Sequence, residues 1–204
     1  MIAKLAVLKL WLMAFLFCFA QSIAAFAETP IEGMQRTVGR VVSILQASPG
    51  NNGGPVVRER RQMIREVLLP RFDFTEMAKR SLGAHWKNQT GRQEEFVAVF
   101  SEFVESSYIN TLESYKGEKV VYLRERVEQN LAQVDTQLVP ASGEPFSVSY
   151  KLHLVGGDWK VYDVVIESIS LVNNFRSQFS RILATSSFDE LLRKLRAKGS
   201  EKPV

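Results

Sequence analysis

Two histidines and one carboxylate pair have the types and spacing for acid–base chemistry in this sequence. His85 stands beside Trp86, and His153 falls in a run that alternates with hydrophobic residues. A zinc site or a nucleophile–base–acid triad needs ligands that converge. No spacing here brings further ligands to either histidine, so both read as surface or packing residues. Asp163 and Glu167 lie four apart at the end of a strand-like run. Even spacing on a strand points both to one face, which makes a general acid–base pair a candidate. The plainer reading leaves Glu167 in solvent and Asp163 bonded to a basic neighbour. No nucleophile elbow, phosphate loop or dinucleotide fingerprint occurs. Gly156-Gly157-Asp158 lacks the lysine and the following helix of a phosphate loop and reads as a hairpin turn. No catalytic residue, metal site or cofactor is predicted.

The address comes next. Residues 1–27 read as a secretory signal peptide, with Lys4 and Lys9, an apolar core over 10–20, and Ala25-Phe26-Ala27 as the cleavage site. That core is shorter than the ~20 apolar residues of a spanning helix. Bulky Phe17 before Cys18 argues against a lipoprotein. Cleavage removes two of the 26 basic groups, none of the 22 acidic ones and the single cysteine, and so halves the net charge of +4. No nucleic-acid role follows from that balance. An exported chain without cysteine depends on its core, and residues 28–204 are long enough for one domain with one.

The elements that must position these residues follow in order. Helical spacing over 31–46 aligns Met34, Val38, Val41 and Leu45. Residues 48–55 are a loop by composition. The helix predicted over 56–69 carries Arg58, Arg61 and Arg65 on one face, a candidate docking stripe for headgroups or an acidic partner. Asp73 opens a short helix that Gly83 ends. Thr90 and Gln93 fit a capping box for the longest helix, 91–115. Strands are predicted at 119–126, 131–139, 146–155 and 158–166, with Gly156-Gly157 joining the last two. Ser170 caps a helix bearing Leu171, Val172, Phe175 and Phe179, and Ser187 with Glu190 caps the last helix, which runs to Lys198. The sum is an α+β domain: helical over 28–116, a four-stranded curved antiparallel sheet over 117–167, and helices over 168–198.

The aromatic residues are the stronger signal. A curved sheet packed with helices is expected to enclose an apolar cavity at its open end. Phe96, Phe100, Phe103, Tyr150, Leu152, Phe175 and Phe179 are its expected lining, extended by Phe72, Phe74, Val165 and Ile169. A dry apolar cavity takes apolar ligands.

The run over 161–179, V-Y-D-V-V-I-E-S-I-S-L-V-N-N-F-R-S-Q-F, follows Arg71-Phe72-Asp73-Phe74, Met77, Leu82-Gly83 and Trp86. Together they resemble the signature of the MlaC-type periplasmic phospholipid-binding proteins, also called toluene-tolerance auxiliary or Ttg2-like proteins. Two positions depart from that pattern: Ser168 stands where Gly is expected and Phe175 where Tyr is expected. The resemblance implies a sheet like that of nuclear transport factor 2. It implies a monomeric, non-enzymatic carrier that holds phospholipid by its acyl chains and shuttles it across the periplasm. It also implies partners: an inner-membrane ABC transporter complex with a substrate-binding ring, and an outer-membrane lipoprotein–porin complex, which together maintain outer-membrane lipid asymmetry. Exposing two acyl chains of roughly thirty methylenes would cost on the order of 20 kcal/mol. A carrier must therefore enclose the tails, while the exchange with a bilayer is nearly neutral. With no nucleotide motif in the chain, direction must come from an energised partner. Three alternatives stay open: a carrier of another lipid such as a hopanoid, an enzyme on the same sheet using Asp163 or Glu167, and a periplasmic chaperone.

Overall fold

The structure, a computed structural model, describes residues 28–47, 55–113 and 115–200. The expected signal peptide and nearly all of the expected loop over 48–55 lie outside them. Helix α1 (Pro30–Ala47) buries Met34, Val41 and Leu45 as their spacing predicts. Helix α2 (Pro55–Leu68) runs into a 3-10 turn, Leu69–Arg71, which contains the Pro70 that stops it. Helix α3 (Phe74–Leu82) opens on Asp73, whose carboxylate accepts from the Glu76 N–H at 2.9 Å. It closes on Gly83 at φ 56°, where an added Cβ would lie 3.3 Å from the Arg176 side chain.

Helix α4 (Gln93–Glu113) begins later than expected, and the capping box does not form. Thr90 Oγ1 instead donates to the Lys87 carbonyl at 2.9 Å, and Gln93 Nε2 donates to the Trp86 carbonyl at 3.1 Å. Both side chains close the 3-10 segment Gly83–Gln89, which competes for the same groups. Helices α5 (Leu171–Thr185) and α6 (Phe188–Ser200) complete the chain.

Strands β1 (Lys119–Glu128), β2 (Leu131–Val139), β3 (Phe146–Val155) and β4 (Asp158–Ile166) form the expected antiparallel meander. The sheet has five strands, not four: β5 (Ile169–Ser170) folds back on Val165 and Ile166. Glu167 and Ser168 make this possible at φ 46° and 69°. A two-residue hairpin needs positive φ at both positions, which glycine supplies most easily. Glu and Ser pay roughly 1–2 kcal/mol each there. Glu167 offsets part of that cost by tying the turn to β3: its carboxylate accepts from the Ser147 N–H, and from Ser147 Oγ at 2.9 Å. Ser168 therefore does not prevent a tight turn.

Three apolar clusters result. Met34 of α1 packs on Ala132, Val134, Val148, Leu152, Val161 and Val164 of the sheet. Val41, Leu45 and Ile64 join α1 to α2. The largest cluster unites α3, α4, α5 and α6. Phe72 and Leu171 touch both it and the sheet cluster.

Candidate functional site

The Arg71-Phe72-Asp73-Phe74 segment is the joint between sheet and helices. Arg71 donates to Thr37 Oγ1 at 3.1 Å, to the Trp159 carbonyl at 3.0 Å and to Glu28 at 3.3 Å. One guanidinium thus ties α1, β4 and Glu28 just ahead of α1. Phe72 runs alongside Val161, and the Asp73 N–H donates to the Val161 carbonyl at 2.8 Å. Phe72 stacks on Phe74 with centroids 5.9 Å apart. Asp73 also meets His153 Nε2 of β3 at 3.0 Å, and the His153 ring lies edge-on to Tyr162 at 5.4 Å. Arg80 covers that Tyr162 ring at 4.2 Å. His153 therefore clamps strand to helix, and its acidic partner lies 80 residues away in sequence.

A one-residue bulge decides which way β4 points. Leu152 pairs with Val161 and Lys151 with Asp163, so Tyr162 is the extra residue. Val161 and Val164 consequently share the apolar face, while Asp163 turns to the other. There Asp163, only 4% exposed, accepts from Ser170 Oγ at 2.7 Å and from the Val172 N–H at 3.1 Å, with Lys151 Nζ 3.5 Å away. It organises the start of α5, where Ser170 Oγ in turn accepts from the Asn173 N–H at 3.1 Å. Asp163 and Glu167 are thus held by separate donors, Glu167 at the Ser147 turn, and form no acid–base pair. Among the described residues no cluster of His, Cys, Asp or Glu is arranged to hold a metal.

The residues expected to line one cavity fall into two groups. Phe96 and Phe100 are fully buried in the helical cluster. Phe100 meets Phe96 at 5.7 Å, Phe175 at 5.5 Å and Phe179 at 6.2 Å, and Phe103 meets Phe175 at 5.6 Å. Phe175 sits inside this stack, where the hydroxyl of a tyrosine would have none of these rings as a polar partner. Tyr150 and Leu152 instead belong to the sheet cluster beneath α1. Val165 is half-buried, and Ile169 is 61% exposed on the edge strand. Sequence reasoning did not separate the groups because alternation along a strand says which residues share a face, not which helix covers it.

The two interiors differ in how they are filled. The helical cluster is closed by ring-on-ring contacts. The buried residues of the sheet cluster carry no aromatic ring, and half-buried apolar side chains rim both clusters, Tyr122, Phe146 and Tyr150 among those on the sheet. Tyr150 sits where water is scarce: burial pushes its phenol up to about 12, against a smaller opposing effect of its hydrogen bond with Thr136. A free phenol ionises near 10, so between pH 10 and 12 the unfolded chain releases a proton that the folded chain keeps. Stability is then fully present below pH 10 and falls by about 1.4 kcal/mol per pH unit as pH rises through that window. Alkaline unfolding followed by circular dichroism is expected to show this slope, and Tyr150→Phe to reduce it.

The arginine stripe is only partly a free surface. Arg58 is exposed, Arg61 is half-buried, and Arg65 pairs with Glu105 of α4 at 3.0 Å. Burial raises the Glu105 carboxyl, opposed by the Arg65 charge, which gives Arg65 a structural partner. Among the described residues no helix is long and apolar enough to cross a membrane.

Known proteins resemble this arrangement. The chain is 26% identical over 207 aligned positions to the intermembrane phospholipid transport system binding protein MlaC of Haemophilus influenzae, covering 95% of each. It is 22% identical over 189 positions to the toluene tolerance protein ttg2D of Pseudomonas putida, covering 91% of this chain and 86% of that one. The structure of a phospholipid-binding protein from Ralstonia solanacearum, in complex with a phospholipid, superposes with a TM-score of 0.73 at 21% identity, over 86% of this chain and 98% of that one. That likeness fixes the fold as the same α+β architecture. The model of the MlaC protein family matches residues 35–197, and the chain belongs to that family.

Proposed function

We propose that this protein carries a phospholipid by its acyl chains, seated against the apolar face of the sheet beneath α1. The observation that carries this is the contrast between the two interiors. Stacked phenylalanines fill the helical cluster, whereas the buried residues of the sheet cluster are Met, Ala, Val and Leu, with no ring among them. Acyl tails need such a surface because each buried methylene contributes ~0.8 kcal/mol. On this reading Tyr150, Leu152 and Phe72 face the tails, and Phe96, Phe100, Phe103, Phe175 and Phe179 form the packed wall behind Phe72. The names of the H. influenzae and R. solanacearum proteins support a phospholipid as the cargo.

The same reading places the working protein in the periplasm after cleavage of residues 1–27. It is a monomer that collects its cargo from one membrane complex and delivers it to another. An inner-membrane ABC transporter supplies the energy, and an outer-membrane lipoprotein–porin complex stands at the other end. No enzyme activity is part of this proposal.

The test is direct. The protein is purified without detergent, weighed by native mass spectrometry and extracted with organic solvent. One diacyl phospholipid per chain is expected, and Leu152→Trp, which fills the sheet face, is expected to displace it. An empty protein that also takes up no lipid from vesicles would remove the proposal.

A further inference from the structure

Resting on the carrier reading, we infer that the exposed side of α3 and α5 is an electrostatic docking surface for a membrane bearing anionic headgroups. Residues 74–89 and 171–185 hold five cations, Lys79, Arg80, Lys87, Arg176 and Arg181, against one carboxylate, Glu76. Glu76 is already shared, at 3.1 Å from Lys79 and 2.8 Å from Arg80. Arg176 spends its Nε on the Arg80 carbonyl at 2.8 Å, which brings the two helices together at that point. Arg181 donates only to the Ser177 carbonyl of its own helix, at 3.2 Å. Lys87, Arg176 and Arg181 have no carboxylate partner among the described residues.

Several other basic residues have carboxylate partners. Arg193 and Lys194 share Glu190, Arg196 reaches Glu95, and Arg65 reaches Glu105. Among the described residues, the segments of the α3–α5 side set five cations against one carboxylate.

The composition of this surface favours lipid over protein. A stable protein interface needs an apolar core ringed by polar residues. No residue of α3 or α5 is among the exposed large hydrophobics of the described residues; Ile169, just ahead of α5, is the nearest in sequence. A headgroup layer needs only cations within a Debye length of its surface. A carrier that loads and unloads phospholipid gains from resting against such a layer while its tail-binding face stays enclosed.

The purified protein is floated with phosphatidylcholine vesicles, with and without phosphatidylglycerol, at low and at physiological salt. Binding is expected only with phosphatidylglycerol, and weaker at the higher salt. The double variant Lys87→Gln/Arg181→Gln is expected to bind about 25-fold more weakly, about fivefold per cation. Arg40→Gln/Lys119→Gln lowers the net charge equally on other elements, and is expected to bind as the unaltered protein does. Equal losses from both pairs, or no preference for phosphatidylglycerol, would overturn the inference; in the second case an acidic protein takes the place of the membrane. Bound phospholipid is extracted from each preparation. Docking lost with cargo retained supports a separate surface, whereas a protein empty from the outset counts against the carrier reading alone.

Discussion

Phe100→Ala is expected to be among the most damaging substitutions in the protein, costing about 3–5 kcal/mol. Phe100 is fully buried, and its ring is held by Phe96, Phe175 and Phe179 from two helices. Truncation removes transfer energy and leaves a cavity that three rigid rings cannot collapse into. In a chain of this size that corresponds to a loss of roughly 6–20 °C in melting temperature. Phe100→Leu keeps more of the volume and is expected to cost less than half as much. Urea denaturation of both variants measures the ratio. The result also bears on where the cargo lies. If the tails sit on the sheet face, the folded fraction of Phe100→Ala still carries phospholipid, whereas the folded fraction of Leu152→Trp does not. Lipid loss from Phe100→Ala at full folding would move the cargo into the helical cluster.

Asp163→Ala is expected to cost about 3 kcal/mol, for a different reason. It strands the Val172 N–H and the Ser170 hydroxyl, and it leaves Lys151 beside no carboxylate. Each unsatisfied buried donor costs ~1–3 kcal/mol, while Lys151 regains water because it is partly exposed. Asp163→Asn keeps an acceptor for the Val172 N–H but offers an amide where Ser170 needs a carboxylate oxygen. Its cost is expected to be about half. Thermal melts of the two variants are the measurement. Equal and negligible losses would mean that α5 starts without this carboxylate. In the structure Asp163 serves the helix it begins and lies beside Lys151, as the plainer reading of the sequence has it, and no acid–base pair with Glu167 is built.

Much of this was legible along the chain. Met34, Val41 and Leu45 announce α1 because helical periodicity is a local property. The Gly156-Gly157 hairpin is legible because only residues tolerant of positive φ close a two-residue turn, and both glycines have it, at 62° and 93°. Asp73, Ser170 and Ser187 announce helix starts because a short oxygen side chain reaches the N–H two or three residues ahead. The residues 71–74 and 161–179 likewise marked the family whose model matches residues 35–197.

Other features were settled only when the chain closed on itself. Thr90 and Gln93 satisfied the spacing of a cap, yet nearer carbonyls at Lys87 and Trp86 claimed them. The fifth strand depended on Glu167 and Ser168 accepting positive φ, which the bonds to Ser147 make affordable and which no local propensity foretells. Most consequentially, a single extra residue at Tyr162 sets Val161 and Val164 on one face and Asp163 on the other. Period-two alternation counts faces only while the ladder is unbroken. The division of the aromatic residues between two interiors, and the meeting of Arg176 with the Arg80 carbonyl across two helices, have the same origin. Sequence spacing specifies each helix face by itself. Which faces meet, and which cations are left without a carboxylate, is decided by packing between elements up to a hundred residues apart.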